Sequence, residues 1–194
     1  MMSPQAQSVL DRLYAIDAAE RAAGLPSSQR KRNVDPETGQ FLCMVARAVE
    51  AWSILEIGSS NGVSTIWLAI AARVVGGHVF GFEIDPTRAA EAEANLAAAG
   101  LTDFATVRRG DALEASRDVQ GPFDLVFIDA EKQDYVRHIQ NVVDRVKPNG
   151  MIIADNVISH AISDYQQWVR DRADLETMTL PLNRGLELSM KLRS

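Results

Sequence analysis

The 194-residue sequence contains a single cysteine, Cys43, and this scarcity excludes two kinds of site. One cysteine cannot form a disulfide within the chain, nor supply the several thiolates of a cysteine-based zinc site. Long apolar runs are also missing. No run approaches the roughly 18 residues that a membrane-spanning helix needs, so we expect no transmembrane segment. Residues 1–5 show no charged region followed by an apolar one, which predicts no signal peptide and a cytoplasmic protein.

Positive charge is in short supply as well. Lys and Arg number 20 against 26 Asp and Glu, which gives a formal net charge of −6. A protein that binds nucleic acid mainly by neutralising phosphates needs a basic face, so we do not expect a nucleic-acid partner. The one basic run is Arg30, Lys31 and Arg32. We interpret it as a solvated loop; the alternative is a contact for an acidic substrate or a nucleic acid.

What the sequence does contain is a regular alternation of short apolar segments with amphipathic ones from Trp52 onward. Such alternation predicts an α/β fold with a parallel sheet and helices on both faces. We expect strands at 54–57, 78–82, 105–108, 123–128 and 151–154, followed by an antiparallel hairpin of strands 176–181 and 186–192. Helices are expected at 63–74, 87–99, 112–116, 134–146 and 159–172, preceded by one over 4–23 and another that begins at Pro36. The prediction is a single Rossmann-like, doubly wound domain with seven strands, in which 1–33 form a helical or lid segment and 34–194 the core.

Two of these predicted strands end in acids. The apolar run 123–128 leads into Asp129, and the run 151–154 leads into Asp155 and Asn156. In an open α/β sheet, ligands bind beyond the carboxyl ends of the strands. Two carboxylates and an amide at one rim supply the oxygen ligands that a hard divalent cation prefers. The sequence therefore predicts a metal site formed by these three side chains.

The earlier strands end in residues suited to a nucleotide-like ligand. The first strand leads through Glu56 into a turn with Gly58 and Gly62, where main-chain N–H groups can approach a ligand closely. This spacing lacks the second glycine of the dinucleotide fingerprint, so a nicotinamide oxidoreductase is disfavoured. Glu83 ends the second strand and can accept hydrogen bonds from a ribose diol. Asp111, after the third strand, is either a helix cap or a neighbour of adenine, and the two roles are compatible.

Together these segments resemble class I S-adenosylmethionine-dependent methyltransferases, and more narrowly the cation-dependent O-methyltransferases of the catechol and caffeoyl-CoA type. The resemblance spans about residues 34–192. Its specific part is the Asp-x-x-Lys-x-x-Tyr segment from Asp129 to Tyr135, followed by the strand-terminal Asp155-Asn156.

The resemblance implies a role for each matched position. Asp129, Asp155 and Asn156 would hold Mg²⁺ or a similar cation such as Mn²⁺ or Ca²⁺, and Lys132 would be the general base. The cofactor S-adenosylmethionine would be bound along the ends of the first four strands. The residues implied there are Glu56, Gly58 and Gly62 in the turn, Ser64 at the methionine carboxylate, Glu83 at the ribose, Asp111 and Ala112 at the adenine, and Asp129 at the methionine amino group.

The expected activity is methyl transfer to a small catechol-like or vicinal-diol acceptor. The alternatives are a modified nucleoside in tRNA as acceptor, or a cofactor-binding module without catalysis. We interpret Tyr135 as a packing residue and His160 as a solvated one. Family resemblance suggests a homodimer, with the N-terminal helix and its Leu10, Leu13 and Ile16 either as the contact or as a cover over the substrate.

Three segments depart from the family's pattern, and all are expected near the acceptor. Residues 59–61 are more polar than in the plant and animal enzymes. Residues 157–161 lack the tryptophan usual in the caffeoyl-CoA enzymes, and Asn183-Arg184-Gly185 replaces Gly-Asp-Gly. The resemblance therefore defines the cofactor and the cation more closely than it defines the acceptor.

Overall fold

Short runs rich in β-branched and aromatic residues form a seven-stranded sheet, whose order is β3-β2-β1-β4-β5-β7-β6. The computed structural model describes residues 2–26, 29–160 and 162–193, and the statements below concern those residues. The strands are β1 (Ser53–Ile57), β2 (His78–Glu83), β3 (Ala105–Arg109), β4 (Phe123–Ile128), β5 (Val146–Asp155), β6 (Leu175–Leu180) and β7 (Leu186–Lys191). The helices are α1 (Pro4–Ala22), α2 (Pro36–Ala48), α3 (Val63–Val75), α4 (Pro86–Ala99), α5 (Ala112–Ala115), α6 (Tyr135–Val142) and α7 (Ser163–Arg170).

The central strands are buried on both faces, as expected for a parallel sheet covered by helices. Their side chains belong to two apolar clusters, one on each side of the sheet. Strand register then aligns the strand ends. Ile57 lies opposite both Phe82 and Ile128, and Ile128 lies opposite Ala154. The residues that follow these four positions therefore meet at one edge of the sheet, which confirms the doubly wound architecture that the sequence predicts.

The C-terminal hairpin is confirmed, and its arrangement in the sheet was not predictable. Strand β7 runs antiparallel between β5 and β6, so the second strand of the hairpin pairs with the parallel sheet and the first lies at the edge. Asp155 lies opposite Leu186 in this pairing. The turn between β6 and β7 is thereby placed beside the end of β5.

Several predicted bounds are wrong by a few residues. The predicted helix 134–146 is shorter, because 3₁₀ turns at Lys132–Asp134 and Val143–Arg145 flank α6. Strand β5 begins at Val146 rather than 151, with an irregular register near its start. Helix α7 covers only Ser163–Arg170 of the predicted 159–172, and residue 161 of that range lies outside the described residues.

The N-terminal helix packs on the domain itself. Leu10 and Leu13 of α1 are buried within the chain, where α1 contacts α4 and α3, whereas Ile16 is exposed. The Arg12 guanidinium donates to the Asn95 side chain of α4 at 2.7 Å. Of the two alternatives for this helix, a dimer contact through Leu10 and Leu13 is therefore wrong, because this chain already covers both; a homodimer stays a prediction. None of the helices built from the described residues has the length and apolar character needed to cross a membrane.

Candidate active site

A cavity of about 850 Å³ opens beyond the carboxyl ends of β1, β2, β4 and β5. This is the edge at which ligands bind in open α/β sheets. The residues that directly follow or end these strands line it, together with the segment 30–35 from the N-terminal region and Arg184 from the β6–β7 turn. The cavity therefore brings together most of the side chains that the sequence singles out.

Asp129, Asp155 and Asn156 meet where β4 and β5 end. The Asn156 side-chain amide donates to Asp129 Oδ1 at 3.0 Å, which joins the two strand ends through side chains. The Asp155 Oδ1 atom accepts from the main-chain N–H of Asn156 at 2.7 Å. Asn156 has a φ of +66°, a left-handed conformation that asparagine tolerates better than most residues and that turns the chain sharply after the strand.

The electrostatics of this cluster suit a cation. Burial, and then the neighbouring charge of Asp129, raise the pKa of Asp155 to about 7 from an ordinary value of 3.8. Two carboxylates held close together in a desolvated site repel each other, and a divalent cation between them would remove that repulsion. Among the described residues no three Asp, Glu, His or Cys side chains converge as a metal site. The set that fits is two carboxylates and the Asn156 amide oxygen, all hard oxygen donors of the kind Mg²⁺ prefers.

Lys132 lies at the same edge, as the first residue of the 3₁₀ turn that follows β4. Its ammonium donates to Asp129 Oδ1 at 2.8 Å and to the Tyr135 hydroxyl at 2.6 Å. The Tyr135 hydroxyl in turn donates to the main-chain carbonyl of Asp155 at 3.1 Å. Tyr135 is fully buried and packs edge-on against Tyr165. The expectation of a packing role for Tyr135 is correct but incomplete, because its hydroxyl also orients Lys132.

The glycine turn after β1 approaches the end of β4 very closely. A Cβ atom at Gly58 would overlap the main-chain carbonyl of Asp129, and Gly58 has a φ of +91°. Both features require glycine at this position. The Asp129 N–H donates to the Ile57 carbonyl at 2.9 Å, so the turn and the acid are fixed relative to each other.

Glu83 is held at the cavity wall by main-chain donors. Its two carboxylate oxygens accept from the N–H groups of Ser60, at 2.7 Å, and Asp85, at 2.9 Å. Each oxygen can accept a further hydrogen bond and Glu83 lines the cavity, so the carboxylate could bind a ribose diol. Asp85 caps α4 by accepting from the N–H groups of Thr87 and Arg88.

At the far end of the cavity, Asp111 and Ala112 begin α5. Asp111 Oδ1 accepts from the Leu113 N–H at 2.9 Å, which makes it the N-cap, and both residues line the cavity. His138 of α6 lines the same cavity, is 5% exposed, and its Nδ1 has no hydrogen-bond partner among the described residues. We did not predict this histidine, because helical periodicity places it on a buried face without showing what that face meets.

Three predicted cofactor residues lie behind the cavity wall rather than on it. Glu56 is fully buried, its carboxylate accepts from the hydroxyls of Ser59 and Thr65, and burial raises its pKa. Gly62 is the left-handed N-cap of α3, and a Cβ there would press on Ala92 of α4. Ser64 is buried in the first turn of α3. These positions shape the turn, and their direct contact with a cofactor stays a prediction.

The basic run and His160 also line the cavity, which the sequence predicts only in part. The basic run that we interpreted as a solvated loop lines the cavity: Lys31 and Arg32 reach it, and Lys31 is tied to Glu91 at 2.7 Å. His160, exposed as expected, also lines it beside Ser159. The cavity thus has one end bordered by Glu83 and Asp111 and a charged end bordered by Asp129, Lys132 and Arg184.

This fold and this strand-end arrangement define a class I methyltransferase domain, and comparison with known proteins agrees. Residues 55–157, more than half of the chain, match the family model described as a methyltransferase domain. The chain is 42% identical over 147 residues to a catechol O-methyltransferase of Mycobacterium tuberculosis and 38% identical over 152 residues to one of Niastella koreensis. It therefore belongs to the class I O-methyltransferase family.

Those two matches cover 75% and 76% of this chain, and 64% and 66% of the respective relatives, just under two thirds of their length. Among solved structures, an O-methyltransferase from Bacillus cereus in complex with SAH is similar to the chain, with a TM-score of 0.80 and 28% identity. That similarity covers 95% of this chain and 90% of the other.

Proposed function

We propose that the protein is an S-adenosylmethionine-dependent O-methyltransferase that requires a divalent cation and acts on a small catechol-like or vicinal-diol acceptor. The observation that carries the proposal is that the Asp129, Lys132, Asp155 and Asn156 cluster opens into the same cavity as Glu83 and Asp111. The names of the two catechol O-methyltransferases support the acceptor class. SAH, S-adenosylhomocysteine, is what S-adenosylmethionine leaves after methyl transfer, so the Bacillus cereus complex supports the cofactor.

On this proposal one end of the cavity binds the cofactor and the other binds the cation and the acceptor. Glu83 holds the ribose hydroxyls, and Asp111 and Ala112 border the adenine, while Gly58 lets the turn approach the methionine part beside Asp129. Glu56, Gly62 and Ser64 support that turn from behind. When bound, S-adenosylmethionine supplies an electrophilic methyl group. The protein's own contribution is then to hold an acceptor oxygen close to that group and in line with it, which is worth several kcal/mol in such displacements.

At the other end, Asp129, Asp155 and Asn156 would hold the cation. When bound, Mg²⁺ (or Mn²⁺ or Ca²⁺) supplies positive charge beside the acceptor hydroxyl and so favours its ionised form. Lys132, in its neutral amine form, takes up the hydroxyl proton on Nζ and becomes an ammonium; Tyr135, at 2.6 Å, already places this nitrogen. Two neighbouring hydroxyls on the acceptor would fix both its position and its charge, which is why we favour a vicinal diol over an isolated phenol.

The direct test is methyl transfer from S-adenosylmethionine to a panel of catechols, with Mg²⁺ and with a chelator. We expect turnover in Mg²⁺ and its loss in chelator, and undiminished turnover in chelator would contradict the cation role. Lys132→Ala should lower kcat roughly 10²–10⁴-fold, the usual contribution of a general base. Lys147→Ala is the matched control, since Lys147 pairs with Asp124 at 2.6 Å at the opposite end of β4.

A homodimer and a cytoplasmic location stay predictions.

A further inference from the structure

Arg184 borders the charged end of the cavity, in the turn between β6 and β7. Its guanidinium donates to Asn156 Oδ1 at 3.5 Å, a long contact and the one hydrogen bond that this side chain makes among the described residues, although a guanidinium has five N–H donors. The guanidinium is close enough to Asp155 to affect that carboxyl electrostatically. Arg184 therefore stands next to the residues that would hold the cation and the acceptor.

The main chain of Arg184 is fixed in this place by hydrogen bonds. Its carbonyl accepts from the N–H groups of Ile158 and Ser159, and the Gly185 carbonyl accepts from Val157 at 3.1 Å. Gly185 has a φ of +87°, and a Cβ there would overlap Ile158. The turn is thus held against the loop after β5, so the guanidinium projects from an ordered anchor, which lowers the entropic cost of binding an anion.

Arg184, like Arg30 and Arg88 of the same cavity, forms no ion pair with a carboxylate among the described residues. The remaining four basic side chains of the cavity each have a carboxylate within 4.0 Å: Arg21 with Asp17, Lys31 with Glu91, Arg32 with Glu131, and Lys132 with Asp129. Of the three without one, only Arg184 contacts a proposed cation ligand. Within the described part of the chain, no carboxylate lies that close to Arg184. Its positive charge is therefore not neutralised by a direct contact with a described carboxylate.

The charges at this end leave room for an anion. A divalent cation on Asp129 and Asp155 balances both carboxylates, so that Arg184, and Lys132 once it has taken up the acceptor's proton, contribute positive charge there. A neutral catechol gives up one proton and supplies one negative charge. An acceptor with a second negative group would match the site more completely.

We propose, on the basis of the function proposed above, that the acceptor carries an anionic group in addition to its diol and that Arg184 binds this group. The planar guanidinium suits a carboxylate or a phosphate, because both accept two parallel hydrogen bonds from it. Arg184 is then a specificity-determining residue, selecting anionic over neutral acceptors.

The test compares kcat/KM for a catechol with a ring carboxylate against kcat/KM for unsubstituted catechol, in Mg²⁺. We expect the wild type to prefer the carboxylate, and Arg184→Ala to lower the ratio of the two values about 10- to 100-fold, as loss of a charge-assisted contact does. Taking the ratio cancels any general loss of activity. Arg184→Lys should retain part of the preference, and Arg184→Asp should favour a catechol with an aminoethyl group. Arg117→Ala, on an exposed arginine paired with Glu114 at 3.1 Å, is the control with an unchanged ratio.

A binding measurement supplies a second readout. Calorimetry with the SAH- and Mg²⁺-loaded protein measures the Kd of the carboxylated catechol and the Kd of catechol. We expect Arg184→Ala to raise the first Kd more than the second. A phosphonate analogue in place of the carboxylate distinguishes the two anions. Turnover of neutral catechol with no preference for the anion would overturn this inference and leave the proposed function standing. Turnover of no catechol would overturn both, and a preference abolished by Arg30→Ala but not by Arg184→Ala would overturn the assignment to Arg184.

Discussion

The ammonium nitrogen of Lys132 lies 2.6 Å from the hydroxyl oxygen of Tyr135, and Tyr135 is buried while Lys132 reaches the cavity. The same hydroxyl donates to the main-chain carbonyl of Asp155. Burial, with the nearby charges of Asp129 and Asp155, raises the pKa of Tyr135 well above its usual value, so the phenol keeps its proton. A protonated phenol can accept from Lys132 and donate to Asp155 at the same time, and it ties the proposed base to the strand that carries a proposed cation ligand.

Tyr135→Phe should therefore impair catalysis more than stability. Without the hydroxyl, Lys132 loses one of its two fixed partners, and a base displaced by a fraction of an ångström loses efficiency; we expect kcat to fall roughly 10-fold or more. The free energy of unfolding should fall by about 1 kcal/mol for the lost hydrogen bonds. Steady-state kinetics and chemical denaturation of the same preparation measure both effects.

Tyr165→Phe is the matched control for that variant. Tyr165 is equally buried and packs against Tyr135 with ring centroids 5.6 Å apart, but its hydroxyl has no hydrogen-bond partner among the described residues. Removing it should leave kcat within about twofold and stability unchanged or slightly higher, since an unpaired polar atom is removed from the interior. Equal losses of kcat in the two variants would argue against a positioning role for Tyr135.

The candidate site shows which parts of the structure could be predicted from the sequence. Asp129, Asp155 and Asn156 could be predicted together because each directly follows or ends an apolar strand, and parallel strands bring their carboxyl ends to one edge. Arg184 could be flagged only as a departure in a turn. Its position beside Asn156 arises because β7, and not β6, pairs with β5. This long-range pairing is not encoded in the local sequence pattern.

The same limit applies to the N-terminal region and to α6. The periodicity of α1 shows an apolar face, but not that α4 covers it, so the sequence left open whether a second copy does. His138 falls on the buried face of α6, and only the packing of α6 near α5 places it at the cavity. A polar residue on an otherwise apolar helix face is thus the one local signal that a helix position borders a cavity. It does not indicate which residues or ligands the side chain contacts.

Asp155→Asn should stabilise the protein without cation and abolish its stabilisation by Mg²⁺. The folded-state pKa of Asp155, about 7, lies above the ordinary value of 3.8. A raised pKa means that the contribution of this group to stability is complete below about pH 4 and is lost as the pH rises through 7. At pH 8 the neutral amide avoids this cost, and we expect a gain on the order of 1–3 kcal/mol.

Thermal unfolding at pH 5 and pH 8, with and without Mg²⁺, measures this prediction. The gain should be larger at pH 8 than at pH 5, and Mg²⁺ should raise the Tm of the wild type only. Asp124→Asn provides the contrast, because Asp124 accepts from the N–H groups of Trp52 and Ser53 and pairs with Lys147. That variant should lose stability at both pH values. A loss at pH 8 in Asp155→Asn without cation would show that the carboxylate is not under the repulsion described above.

Gly58→Ala should disrupt the site because the new Cβ atom clashes with a neighbouring main chain, and not only because the backbone at residue 58 is strained. The new methyl group would overlap the Asp129 carbonyl, so either the glycine turn or the end of β4 has to move. We expect cofactor affinity to fall at least 10-fold and stability to fall by about 2–4 kcal/mol. Gly24→Ala separates the two causes, since Gly24 also has a positive φ, +68°, but a Cβ atom there would meet nothing within 4 Å. The control should lose about 1 kcal/mol and no affinity for SAH, measured by calorimetry.

His138 should make stability depend on pH in the mildly acidic range. Burial lowers the pKa of His138 below 6.5, although Asp134 and Asp111 oppose that shift and Arg137 adds to it. Because the folded-state pKa lies below the unfolded one, the stabilising contribution is present above about pH 6.5 and is lost as the pH falls through the folded value. His138→Leu removes a side chain whose Nδ1 has no partner among the described residues, so unfolding should become less sensitive to pH between 7 and 5. Denaturant titrations across that range measure the slope, and His160→Gln, on an exposed histidine, should leave it as in the wild type. Identical slopes for His138→Leu and the wild type would mean that protonation of His138 is not coupled to folding.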